Sequence, residues 1–288
     1  MLLAQNDLAG ALKAYQASLA IAERLAKSDP GDATWQRDLS VSCDKTGTAL
    51  KELERLPEAL GMYRRSLAII EQLAKSDPGN SLWQRDLYVS HMNIGGVLLL
   101  QGNFADALKP YQASLAIAER LAGSDPGNGL WQRDLSVTYK QIGDVLENQG
   151  DLAGALKSYE ACVAIAERLA ISDPSDAIWQ RDLAMDLGSI SFVLLATGDA
   201  SAALAAAERS LAILPDDTWL HVNRAHALLF LDRVEEARAI YLKYRGTPNV
   251  IGSSSWEVIV IGDFADLRKA GLARPLMDEI EKEFSKSN

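Results

Sequence analysis

The stretch Asp29-Pro30-Gly31-Asp32-Ala33-Thr34-Trp35-Gln36-Arg37-Asp38-Leu39 returns three more times, nearly letter for letter, in this sequence of 288 residues. Its Trp-Gln-Arg-Asp-Leu end stands at Trp35–Leu39, Trp83–Leu87, Trp131–Leu135 and Trp179–Leu183, at a constant interval of 48 residues. Each tryptophan follows an Asp-Pro by six residues, from Asp29, Asp77, Asp125 and Asp173. A fixed period of this length marks a stacked repeat architecture, in which one unit cannot bury its apolar face alone and neighbours bury it together. The fold class this implies is all-α: an α-solenoid of stacked antiparallel helix hairpins.

Outward from the motif, each unit reads as two helices. Pro30-Gly31 ends the preceding helix, and Asp32 supplies a capping oxygen, as do Asn80, Asn128 and Asp176 in later copies. Helix A then runs to about Leu53, with Trp35, Leu39, Thr46, Ala49, Leu50 and Leu53 on one face at roughly 100° per residue. A turn follows, carried by Gly102, Gly150 and Gly198 in later copies. Helix B spans about 57–75 and turns Ala59, Leu60, Tyr63, Leu67, Ile70, Leu73 and Ala74 inward. Residues 1–28 read as the second helix of a partial repeat, because Leu2-Leu3-Ala4-Gln5 aligns with the end of a helix A at Leu98–Gln101. Starting inside a unit is what a piece of a longer protein would do. Residues 29–216 hold four repeats, the last shortened; 217–246 form a shorter helical pair; and 247–288 form capping helices at about 255–269 and from Pro275 to near Phe284.

Bulk properties narrow the function. A net charge of −10 and a pI near 4.9 give a surface that repels phosphate backbones, so no nucleic acid is expected. No signal peptide and no apolar run of membrane-spanning length is present, so no membrane is expected. Cys43 and Cys162 have neither a disulfide nor a metal spacing, which suits a reducing, cytoplasmic setting. His91, His221 and His226 read as solvated or packing residues, and Cys43 as partly exposed without a histidine to activate it. With no phosphate loop and no converging carboxylate pair, the reading is not an enzyme, with no cofactor and no metal.

Inside each unit a shorter pattern shows: Ile94-Gly95, Leu98, Gln101-Gly102-Asn103-Phe104, Ala107-Leu108, Tyr111, Ser114 and Leu115, then Asp-Pro. This resembles the tetratricopeptide repeat, in a long-helix form similar to kinesin light chains and to arrays in large bacterial proteins. The resemblance implies a right-handed superhelix whose groove holds a protein segment. It also places Gly47, Gly95 and Gly143 against Ala59, Ala107 and Ala155, with Tyr63, Tyr111 and Tyr159 filling the space below.

The side of helix A opposite the tryptophan face is the candidate groove. It carries Arg37, Asp44, Thr48 and Lys51; then Arg85, Met92, Gly96 and Leu99; then Arg133, Lys140, Asp144 and Glu147; then Arg181, Gly188, Phe192 and Leu195. Past the arginine these positions change from copy to copy while the core hardly does. A bound peptide should therefore meet charged walls at repeats one and three and apolar walls at two and four. The arginines form a ladder that either clamps an anion or pairs with Asp38, Asp86, Asp134 or Asp182, from the same or a neighbouring repeat, to hold the scaffold; scaffold is the favoured reading. The expected partner is a protein or peptide. The alternative is a spacer or sensor arm that self-associates through its N-terminal helix, with Leu8, Leu12 and Leu19 exposed.

Overall fold

The structure, a computed structural model, describes residues 7–286, so the Leu2–Gln5 segment lies outside it. Each Asp-Pro-Gly junction folds on itself before the next helix starts. Asp29 Oδ1 accepts the Gly31 N–H at 3.0 Å, and Asp77 and Asp125 do the same for Gly79 and Gly127 at 3.1 and 3.2 Å. Asp32 then caps the next helix through Thr34 and Trp35, Asn80 through Trp83, Asn128 through Trp131, and Asp176 through Ile178 and Trp179. Each cap satisfies a donor that the first helical turn would otherwise leave open.

Thirteen helices occur among the described residues, and the only extended pairing there is the single bridge between Ile251 and Ser254. The chain divides into two compact units, residues 1–149 and 150–288. The first holds α1 (Leu8–Ser28), α2 (Ala33–Glu52), α3 (Leu56–Ser76), α4 (Ser81–Leu100), α5 (Phe104–Ser124) and α6 (Gly129–Asn148). Each packs on its successor, and α2 also touches α4, which makes a stack of antiparallel hairpins. Gly102 takes a left-handed backbone at the α4–α5 turn (φ 73°); Glu54 holds the same conformation at the α2–α3 turn (φ 57°).

At the helix crossing the atoms nearest the glycines are tyrosine rings. A Cβ on Gly47 would lie 2.7 Å from the Tyr63 ring, and one on Gly95 equally close to Tyr111. The glycines therefore make room for the tyrosine rings, and Ala59 and Ala107 are buried beside them. The tryptophans Trp35, Trp83 and Trp131 are only half-buried, so the tyrosines, not the indoles, form the centre. Cys43 is fully buried, a correction to its expected partial exposure, and burial pushes its thiol up to about 11. Leu12 and Leu19 are also buried, in clusters with residues of α2 and α3, while Leu8 is half-buried. The exposed apolar residues of α1 are instead Ile21 and Leu25, whose counterparts one and two turns from the end of α5, Ile117 and Leu121, are covered in part by α4 and α6.

The second unit holds α7 (Leu152–Ser172), α8 (Ala177–Ala196), α9 (Ala200–Ile213), α10 (Thr218–Phe230), α11 (Val234–Lys243), α12 (Trp256–Lys269) and α13 (Pro275–Ser285). Its helices shorten after α8, and α12 and α13 contribute Trp256, Val260, Phe264, Leu267, Leu276, Met277 and Ile280 to its core. His226 is fully buried there: its Nδ1 meets the Tyr241 hydroxyl at 2.7 Å and its Nε2 meets Asp263 Oδ2 at 3.1 Å. Trp256 Nε1 donates to the Tyr241 carbonyl at 2.9 Å. These bonds tie α10, α11 and α12 together, so His226 is a packing residue with both ring nitrogens engaged.

Candidate functional site

The Trp-Gln-Arg-Asp motif works as a two-way clamp. The glutamine reaches back to an otherwise open carbonyl near the end of the preceding helix: Gln36 to Ala26 O, Gln84 to Ala74 O, Gln132 to Ala122 O and Gln180 to Ala170 O, at 3.0–3.3 Å. The arginine reaches forward. Arg37 Nε and Nη2 donate to both oxygens of Asp86 at 2.5 and 3.3 Å, and Arg85 does the same to Asp134 at 2.7 and 3.2 Å. These forked bonds join α2 to α4 and α4 to α6, and they commit Arg37 and Arg85 to the scaffold. Tyr88 adds to the second joint, donating to the Asp134 carbonyl at 2.9 Å.

Beyond the clamps, the expected wall positions of the first unit share an intermediate exposure. Arg37, Asp44, Thr48 and Lys51 on α2, Arg85, Met92, Gly96 and Leu99 on α4, and Arg133, Lys140, Asp144 and Glu147 on α6 are all half-buried. The chemistry changes along the face. Met92 fills its slot with sulfur, which accepts from the Ser114 hydroxyl at 3.2 Å. Lys140 holds Asp144 at 2.9 and 3.0 Å, and Gln141 donates to the same carboxylate at 3.1 Å.

Asp44 departs most from what its position suggested. Its Oδ1 is buried and has no hydrogen-bond partner. Burial lifts its carboxyl to about 7, with the negative charge of Asp86 adding to the rise and Ser66, Asn93 and Ser90 pulling it partly back. Those serines are engaged with each other: Ser40 and Ser66 hydroxyls lie 2.8 Å apart, and Ser66 and Ser90 lie 3.1 Å apart.

In the second unit the expected wall is largely covered. Leu195 is 2 % exposed and belongs to the core, a correction to its placement in an accessible groove. Phe192 is half-buried and packs on the same core, edge-on to His226. Gly188 is buried as well: a Cβ there would stand 2.6 Å from Leu220 and 2.7 Å from Trp219. The missing side chain lets α10 settle onto α8, and α10 then occupies the space a peptide would need. Arg181 remains exposed.

Comparisons with known proteins agree with this architecture. Family models described as tetratricopeptide repeat match residues 92–126 and 136–170, and residues 194–246. No curated protein matches the chain. Among solved structures, the apo form of RapI is similar with a TM-score of 0.64 at 13 % identity, over 98 % of this chain and 92 % of its own. The Rap conjugation gene regulator of plasmid pLS20, solved in complex with the Phr* peptide, gives 0.54 at 15 % identity, over 98 % and 69 %. The putative kinesin light chain repeats of Podosopora anserina give 0.51 at 14 % identity, over 70 % and 91 %. At these identities the likeness is one of fold.

Proposed function

We propose, from the premise that this chain is a tetratricopeptide-repeat protein and hence a protein-interaction scaffold, that it binds a polypeptide segment on the recessed face of α2, α4 and α6. The observation that carries this reading is the contrast between frame and wall. The clamps, caps and buried tyrosines repeat almost unchanged, while the half-buried wall positions run Asp44, Met92, Lys140 and Thr48, Gly96, Asp144 through successive copies. Packing explains the constant positions; it leaves the variable ones free to suit a guest. The Rap regulator solved with a peptide offers a protein of similar fold for which peptide binding is recorded.

The mechanism is recognition by a preformed surface. Because the scaffold is already ordered, association avoids the cost of folding it, and affinity rests on a few anchors in recessed slots. Met92, Gly96 and Leu99 form the apolar slot, flanked by charged walls on α2 and α6. No catalytic step is part of this reading, and the two buried cysteines, neither of them disulfide-bonded, are in keeping with a cytoplasmic setting.

The test is a peptide selected for binding from a random library and measured by calorimetry. Met92→Lys, which copies the residue of the third repeat, is expected to weaken it about tenfold or more by placing a charge in the apolar slot. Gln112→Lys, on an exposed position of α5, is expected to change nothing. Equal losses, or no loss with Met92→Lys, would count against this face.

A further inference from the structure

We propose that Asp44 is a lysine seat: its carboxylate receives the side-chain ammonium of a lysine carried by the segment bound across α2 and α4. This rests on the binding face proposed above and adds the chemistry of one of its anchors.

The first observation is a missing partner. Asp44 sits in α2 where α3 and α4 converge, and its buried Oδ1 accepts no hydrogen bond. The cations nearby are engaged elsewhere. Arg37 is held by Asp86 at 2.5 Å, Arg65 by Glu23 at 2.5 Å, and Lys51 lies 3.4 Å from Glu52. The charge facing Asp44 from α4 is Asp86, which has the same sign. A carboxylate withdrawn from water without a counter-ion is strongly unfavourable when ionised.

The second observation is an internal control. The same slot holds Met92 one repeat later, packed against the Ser114 hydroxyl, and Lys140 in the copy after that, paired with Asp144. The slot therefore accepts a neutral thioether or a satisfied cation, and packing does not require an acid there. An ionised acid kept in such a place destabilises the free scaffold and is relieved by a proton or by an arriving cation. Asp44 as a residue is half-buried, while its unpartnered Oδ1 lies beneath the surface, so an arriving ammonium has to part the side chains over it.

The shape of the acceptors selects lysine. Ser66, Ser90 and Asn93 donate to the carboxylate, so Oδ1 is the single acceptor left over, and not the parallel pair that a guanidinium fork prefers. An ammonium is compact, carries three donors and rides on a flexible four-carbon stem. Binding also requires the carboxylate form. With the free carboxyl lifted to about 7, affinity should fall as pH drops below that value, because a proton competes for the seat. Arg37, Asp86, Arg65 and Glu23 are the charged groups facing this junction from the packed helices, paired Arg37 with Asp86 and Arg65 with Glu23, and Cys43, pushed up to about 11, stays neutral.

The experiment selects peptides from one random 12-residue library against the wild-type chain and synthesises the best binder. The expected result is a lysine at one fixed position. Its replacement by norleucine should weaken binding to wild type at least about tenfold, yet leave binding to Asp44→Met unchanged. Asp44→Met copies the second repeat, and circular dichroism checks that it folds; Asp44→Asn provides a second neutral variant of the same shape. Binders indifferent to Asp44→Met and Asp44→Asn but weakened by Met92→Lys would overturn the seat and leave the face standing. Binders indifferent to all three, or no binders at all, would overturn both. A fixed arginine in place of lysine would overturn the choice of cation.

Discussion

Tyr111→Ala is expected to cost the N-terminal unit ~3–5 kcal/mol, and to cost more than Trp83→Ala. The ordering is the informative part, because the tryptophan belongs to the conspicuous motif and has the larger ring. Burial decides it. Tyr111 is 1 % exposed, packs with Ala107, Val97 and Leu98, and presses its ring into space left by Gly95; its hydroxyl donates to Gln141 at 2.9 Å. Truncation would open a cavity at the junction of α4, α5 and α6 that rigid helices cannot collapse into, and would leave Gln141 without its donor. Trp83 is half-buried, so its loss removes less area from the interior and exposes the remainder to water already nearby. Unfolding in denaturant, followed by circular dichroism, should show the tyrosine variant losing on the order of 10 °C in Tm under matched thermal scans. A tryptophan variant less stable than the tyrosine variant would refute this account of the core.

The second large effect concerns pH. Asp44→Asn is expected to stabilise the protein at pH 8 by at most ~4 kcal/mol and to leave it nearly unchanged at pH 4. The folded carboxyl titrates near 7, against an ordinary value of 3.8, chiefly because it is buried. The folded state thus holds its proton more tightly than the unfolded chain does. The stability this contributes is fully present below about 4 and is lost as pH rises towards 7. The quantity to measure is the difference between wild type and Asp44→Asn across the series. A difference that stayed flat from pH 4 to 8 would mean that Asp44 is not held in a dry niche.

Much of the frame was legible before any coordinates. Pro30-Gly31, the caps at Asp32 and Asn80, and the helical spacing of Leu39, Thr46 and Leu50 place the helix ends within a residue or two, because capping and periodicity are local properties of the chain. The Arg–Asp scaffold pairing was legible too, and of the two partners left open, same repeat or neighbouring repeat, Arg37 takes Asp86 of the next repeat, since a residue cannot face the one beside it along a helix. What the pattern concealed depends on neighbours in space. The glycines at 47 and 95 accommodate tyrosines, a partner choice that no spacing within one helix reveals. Leu195 and Gly188 occupy groove positions by analogy with the second repeat, but the shorter α10 lies over them. Asp44 reads as a solvated acid by its angle on α2, and only the convergence of α3 and α4 encloses it. The apolar residues exposed on α1, Ile21 and Leu25, likewise follow from which neighbours that helix has, and Leu12 and Leu19 lie on the covered side.

The proposed face is tested most directly by amide hydrogen exchange of the full chain with and without a library-selected peptide bound. The expected result is slowed exchange in α2, α4 and α6, whose proposed binding sides carry Asp44, Met92 and Lys140, with α3 and α5 unchanged. Protection confined to α3 and α5, or to the helices of residues 150–288, would contradict the account.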